Sequence, residues 1–245
     1  MDHSEGGSSL ILSQIIPGIL PTLLWTGVLY LAALPSTVQS SIAFVSIARG
    51  NVPAAIASAS ASQILGIFMT PFLVGILIDV HGGEIRVSGV GMIVLQILVP
   101  FMAGHLLQPW IGSWVQRNKS AIAITDRGTI LVAVYGAFSS AVIEGIWDKL
   151  PIEILINLLA LCMFILISLL LITRMIARIF HFPQEDEIPI IFCGTKKSLV
   201  QGVPMARVLF AGSDLGLILL PIMIFHQLQL MLCAWIARRY AKGDD

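Results

Sequence analysis

Apolar runs of membrane-spanning length leave this chain few folds to choose from. Residues 154–173 pass twenty positions without a charged side chain. A helix that crosses the hydrocarbon of a bilayer needs roughly 20 such residues, because each adds about 1.5 Å. Comparable runs recur along all 245 residues, of which 57% are hydrophobic and 11% charged. A soluble domain carries about 25% charged residues. The runs are continuous rather than alternating with period two, which excludes a β-barrel. The expected fold is therefore an all-α integral membrane protein in a lipid bilayer, with about seven to eight transmembrane helices. Lys and Arg total 14, as do Asp and Glu. No basic surplus is left for nucleic acid. Cys162, Cys193 and Cys233 are too few to staple a secreted domain.

Residues 1–9 read as a polar tail and residues 10–245 as a single transmembrane domain. Apolar character begins at Leu10, pauses at Pro17 and Pro21, and runs to Pro35. Further segments cover 36–48, 52–78, 87–107, 128–143, 152–173, 188–213 and 215–237. Cytoplasmic loops are enriched in Lys and Arg. With the loop at 49–51 placed inside, the inner loops hold Arg49, Arg117, Lys119, Arg127, Arg174, Arg178, Arg238, Arg239 and Lys242. The outer loops hold Arg86 and Lys149. That nine-to-two split predicts a multi-pass protein of the cell (inner or plasma) membrane with a cytoplasmic C-terminus. Acidic residues gather outside: Asp79, Glu84, Glu144, Asp148, Glu153 and Asp214.

Two segments carry a polar interruption at their middle. One is Pro35-Ser-Thr-Val-Gln-Ser-Ser41, the other Gly194-Thr-Lys-Lys-Ser-Leu-Val-Gln-Gly-Val-Pro204. Backbone in lipid must satisfy its own hydrogen bonds, so a break is tolerated only inside protein or beside water. Proline removes a donor and glycine loosens the helix, so both stretches are expected to unwind. A pair of interrupted segments is the sequence mark of a secondary transporter's binding site. The alternative for either patch is a proline kink repaired by its polar neighbours. Candidate site residues in the patches are Ser36, Thr37, Gln39, Ser40, Ser41, Lys196, Lys197, Ser198 and Gln201.

A charge at mid-membrane costs roughly 2.5–3.5 kcal/mol, so Lys196 and Lys197 either face a cavity or snorkel to the headgroups. Ser58 and Ser62 lie four residues apart and share a helix face, followed by Gln63. With Ala55 and Ala59 nearby, that face permits close helix packing. The other reading turns Ser58, Ser62 and Gln63 toward the first break as oxygen ligands for a hard cation. His226, Gln227 and Gln229 form a polar cluster in the last segment, read as an interhelical hydrogen bond or a proton relay. No nucleophile–base pair or metal-ligand cluster is visible, so an enzyme is not expected.

Three stretches carry a family resemblance. Pro35-Ser-Thr-Val-Gln-Ser-Ser-Ile-Ala-Phe44 with Ser46-Ile-Ala-Arg-Gly-Asn-Val52 resembles the bile acid–sodium symporter family. Phe192-Cys-Gly-Thr-Lys-Lys-Ser198 with Gly202-Val-Pro-Met-Ala206, and Pro221-Ile-Met-Ile-Phe-His-Gln227, narrow it. They resemble its bacterial symporter branch, related to the seventh vertebrate member of solute carrier family 10. The resemblance covers nearly all of residues 20–240. It implies a fold of two inverted five-helix repeats, in which a core with two crossing broken helices moves against a panel. Residues 22–48 would be the fourth helix, 52–173 the fifth to eighth, 188–213 the ninth and 215–237 the tenth. The chain is then expected to be an N-terminally shortened member, with Leu10 to Leu20 as the remnant of the third helix.

In sodium-coupled members the ions sit at the crossing. The resemblance implies a coupling sodium at Ser40, Ser41, Ser58 and Ser62, and no other cofactor. Lysines stand about where the family places an acid. Two unit charges about 4 Å apart repel by about 4 kcal/mol at an effective dielectric constant of about 20, so an ammonium there opposes sodium. The expected function is secondary transport of a small organic anion or related solute by alternating access. The alternatives are a non-transporting regulatory or binding membrane protein, or an inactive shortened transporter. The oligomeric state has no sequence signal.

Overall fold

A computed structural model of the chain describes residues 19–78, 87–143, 145, 150–210 and 214–243. The polar tail, most of the Leu10–Leu20 remnant, and the positions of Asp79, Glu84, Arg86, Glu144, Asp148 and Lys149 lie outside the described residues. All regular structure among the described residues is helical, as the apolar runs require. The helices are α1 (Thr22–Ala33), α2 (Val38–Ile47), α3 (Val52–Leu77), α4 (Val87–Arg117), α5 (Lys119–Ile143), α6 (Ile152–Ile179), α7 (Gln184–Thr195), α8 (Leu199–Leu209) and α9 (Leu215–Lys242).

Local chemistry sets several ends. Asn51 caps α3, its side chain accepting from Ala54 N at 3.0 Å, with Pro53 in the first turn where no partner is lost. Glu185, Asp186 and Glu187 fill the first turn of α7, where the helix dipole favours negative charge. Gly243 closes α9 in the left-handed conformation, φ 72°.

Helices α3, α6 and α9 are long and apolar enough to cross a membrane. The pair α1 and α2, bent by 62°, makes a fourth span when taken as one. Helix α6 has a mean hydropathy of 3.0 over its best window, yet only 17% of that window is buried against protein. Ile156, Phe164 and Leu171 stand open to the surroundings. A surface of that kind is at ease in lipid and costly in water.

Helix α1 lies on α9 through Leu24, Leu31, Ile218 and Phe225. Gly27 lets them approach, because a Cβ there would run into the carbonyl oxygen of Ile218. A second cluster joins α2, α3, α7 and α9 through Val45, Ala55, Ala59, Phe192 and Cys233. The expected close-packing face of α3 is thus real, and Ala55 and Ala59 carry it, both wholly buried.

Three of the turns and ends assigned to the inner side meet at one end of the molecule. Asn51 N donates to Glu185 O at 2.8 Å, and Asn51 Nδ2 to Asp186 Oδ1 at 2.8 Å. Glu187 accepts from the Tyr240 hydroxyl at 3.1 Å and lies 3.4 Å from Arg174 Nε. The α2–α3 turn, the α6–α7 turn and the end of α9 therefore share a side, as alternating crossings demand.

Candidate functional site

Both interruptions are genuine breaks, and they touch. Pro35 lacks an N–H and disfavours helical backbone at the residue before it, so Leu34 turns extended (φ −73°, ψ 145°) and α1 stops. The chain stays unwound until Val38. In the second break Lys196 is extended (φ −74°, ψ 141°), and Ser198 restarts the helix as the cap of α8, accepting from Gln201 N at 3.3 Å. The second break is narrower than the sequence suggested. It spans 196–198, and Gly202 and Pro204 lie inside α8. The Ser198-x-x-Gln201 spacing is a helix-start signal that explains the early restart.

The orphan backbone groups of four helix ends are then tied together. Ser198 N donates to Pro35 O at 3.0 Å, and the Thr37 hydroxyl to Lys197 O at 2.9 Å. Ser36 N donates to Ser62 Oγ at 3.1 Å. The Thr70 hydroxyl donates to Ala33 O at 2.8 Å, and Lys197 Nζ to Ala32 O and Leu34 O at 2.8 and 2.9 Å. A cation and a hydroxyl thus cover the negative end of α1. Gln229, wholly buried on α9, holds both backbone groups of Lys197 at 2.9 Å and contacts His226 Nδ1 at 2.9 Å. The interhelical reading of that polar cluster is the one the geometry matches, while Gln227 points outward.

Lys197 is therefore committed to backbone carbonyls, and Lys196 is not. The Lys196 side chain is buried, at 1% exposure, and its Nζ has no hydrogen-bond partner among the described residues. It lies 3.9 Å from the centre of the Phe44 ring, beside the Cys193 and Cys233 thiols. At this burial Lys196 does not snorkel. A cavity of about 560 Å³ adjoins it, lined by Ser36, Ser58, Ser62, Lys196 and Lys197, with Asp186, whose carboxylate accepts from Asn51 Nδ2, also on its wall.

The remaining candidates differ in their surroundings. Ser41 donates to Phe192 O at 3.4 Å, and the Cys193 thiol lies against the Ser41 and Ser58 hydroxyls. Ser40 Oγ and Gln201 Oε1 are buried without a partner among the described residues. Gln39 is exposed and Gln63 half-buried, and neither lines the cavity. Ser58 donates to Ala54 O of its own helix at 2.7 Å. The four serines expected around sodium thus differ in availability. Ser58 and Ser41 donate to carbonyls, Ser62 accepts a backbone N–H, and Ser40 alone is uncommitted. Tyr30, Phe44 and Thr70 had no site signal in the sequence, while Gln229 stood out there only as part of the polar cluster of the last segment. They act on the breaks from neighbouring helices.

A polytopic helical protein whose interrupted helices cross, and share a charged cavity at the crossing, falls in the class that uses broken helices to hold solutes. The chain belongs to the SBF-like CPA transporter family (DUF4137), which it matches over residues 8–242. It is 53% identical over 230 residues to "Uncharacterized protein PA2026" of Pseudomonas aeruginosa, covering 94% of this chain and 69% of that one. It is 52% identical over 223 residues to "Putative symporter YfeH" of Escherichia coli, covering 91% and 67%. Against "Sodium/bile acid cotransporter 7" of Rattus norvegicus it is 28% identical over 213 residues, covering 84% and 61%. The bile acid–sodium symporter resemblance of the sequence is thereby established, and with it a membrane transporter role.

Proposed function

We propose that the protein is a secondary transporter that moves a small organic anion by alternating access, and that Lys196 is its fixed cation in place of a coupling sodium ion. The observation that carries this is the buried Lys196 ammonium, which has no hydrogen-bond partner among the described residues and lies beside a cavity where two helix breaks meet. An uncompensated buried charge is costly, and an anion in the adjacent cavity would offset that cost. Lys197, Ser36 and Ser62 would hold the crossing in shape around it.

In this reading α1 with α2, and α7 with α8, are the broken helices of two inverted repeats. Residues 10–245 form one transmembrane domain, in which α4 and α5 add crossings to give about seven to eight. The protein sits in the cell membrane with a cytoplasmic C-terminus, as the loop charges favour.

The test is uptake of labelled small organic anions and cations by proteoliposomes that hold the full chain. The reading expects saturable anion uptake, with cations excluded. Anion binding without any flux would replace transport by the binding or regulatory alternative. Uptake of cations in preference to anions would overturn the role of Lys196.

A further inference from the structure

A second cavity, of about 360 Å³, lies between α6 and α9, with Ile191 of α7 on its wall, at the end where the basic residues gather. Its lining grades along both helices. Ile167 and Leu170 of α6 form the deep part, and Arg174 closes it about 10 Å further along the helix. On α9, Trp235 and Ile236 give way to Arg239. The Arg239 guanidinium lies 4.8 Å from the Trp235 ring centre. Among the described residues no carboxylate lines the cavity. Glu187, which borders it through Arg174, is already engaged by Arg174, Arg178 and the Tyr240 hydroxyl.

We propose that this cleft seats an anionic phospholipid, its phosphate between Arg174 and Arg239 and one acyl chain lying along the α6–α9 groove. Three features select that occupant. The guanidinium fork matches phosphate oxygens, and Arg174 spends only its Nε on Glu187. The charged end and the apolar end are separated along helices of spanning length, so the cleft has the polarity of a lipid from headgroup to tail. Trp235, against the Arg239 guanidinium, is the kind of residue enriched where a membrane meets water. A zwitterionic choline headgroup would set its ammonium against two arginines, so a phosphatidylglycerol-type headgroup is favoured. The inference does not depend on what the other cavity carries.

Quenching of tryptophan fluorescence by brominated lipid tests it, with the full chain in vesicles and the Trp235 contribution taken as the difference from Trp235→Phe. The expected result is stronger Trp235 quenching by brominated phosphatidylglycerol than by brominated phosphatidylcholine. Arg239→Gln should reduce that preference roughly fivefold, and Arg239→Lys should restore part of it. Arg174→Gln should act in the same direction. Arg49→Gln, at the same end but outside the cleft, should leave the preference unchanged. Equal quenching by the two lipids would overturn the proposal. So would an Arg49→Gln effect as large as that of Arg239→Gln, which would mean general surface charge. Displacement of the brominated lipid by inorganic phosphate as readily as by plain phosphatidylglycerol would refute the acyl-chain seat.

Discussion

Replacing Lys196 with methionine should make the protein more stable and less able to hold its solute. The ammonium is buried at 1% exposure with no hydrogen-bond partner among the described residues. Its visible compensation is the Phe44 ring at 3.9 Å, which returns about 2 kcal/mol, together with the neighbouring Cys193 and Cys233 sulfurs. Taking a charge out of water costs several kcal/mol even after the protein relaxes around it. Methionine keeps the length and flexibility of the chain and removes both contributions. The balance favours Lys196→Met by about 1–4 kcal/mol. The same exchange removes the attraction for an anion about 4 Å away, worth about 4 kcal/mol at an effective dielectric constant of about 20. That corresponds to roughly a thousandfold in affinity. Thermal unfolding in detergent reads the first effect, and binding of a labelled anion to the same preparation reads the second. A variant that melts lower and binds the anion unchanged would show that Lys196 is a packing element, and the reasoning would fail.

The remaining predictions address the joints. Gln229→Leu strips the partner from Lys197 N and should cost about 1–3 kcal/mol while weakening anion binding, whereas Gln227→Leu on the same helix should change neither melting nor binding. Gly27→Ala forces a Cβ against the Ile218 carbonyl and should cost about 1–3 kcal/mol in melting experiments. Gly75→Ala, with nothing within 4 Å of its Cβ, should instead gain up to about 1 kcal/mol. Glu187→Gln removes the charge that a buried side chain offers to Arg174, Arg178 and the Tyr240 hydroxyl, and should cost about 1–3 kcal/mol in melting experiments.

The breaks were legible in the sequence because proline and lysine are costly inside an apolar run, and a chain tolerates them there only where the helix opens or a polar partner waits. Pro35 marks the first break to within two residues of where α1 ends. The second was harder to bound, because Gly194 to Pro204 offers several breakers and only 196–198 unwinds. The decisive signal was the Ser198 cap, which lets α8 restart and carry Pro204 within it. The different fates of Lys196 and Lys197 were not legible. Adjacent lysines look alike in sequence, yet extended backbone sends them to opposite sides, one to the α1 carbonyls and the other over Phe44. Tyr30 and Thr70 were invisible as site residues, and the partner of Gln229 could not be named, for a related reason. Their partners are 172, 37 and 32 positions away, and only the fold brings them together. Ser58 stands out more in the sequence than in the structure, because a serine inside a helix can turn its hydroxyl back to its own backbone.

The most direct measurement is the initial rate of anion uptake into proteoliposomes after sodium is replaced by potassium on both sides. A fixed cation at the crossing predicts the same rate in either salt, and no uptake by Lys196→Met in either. Uptake that collapses without sodium, and survives in Lys196→Met, would contradict the account.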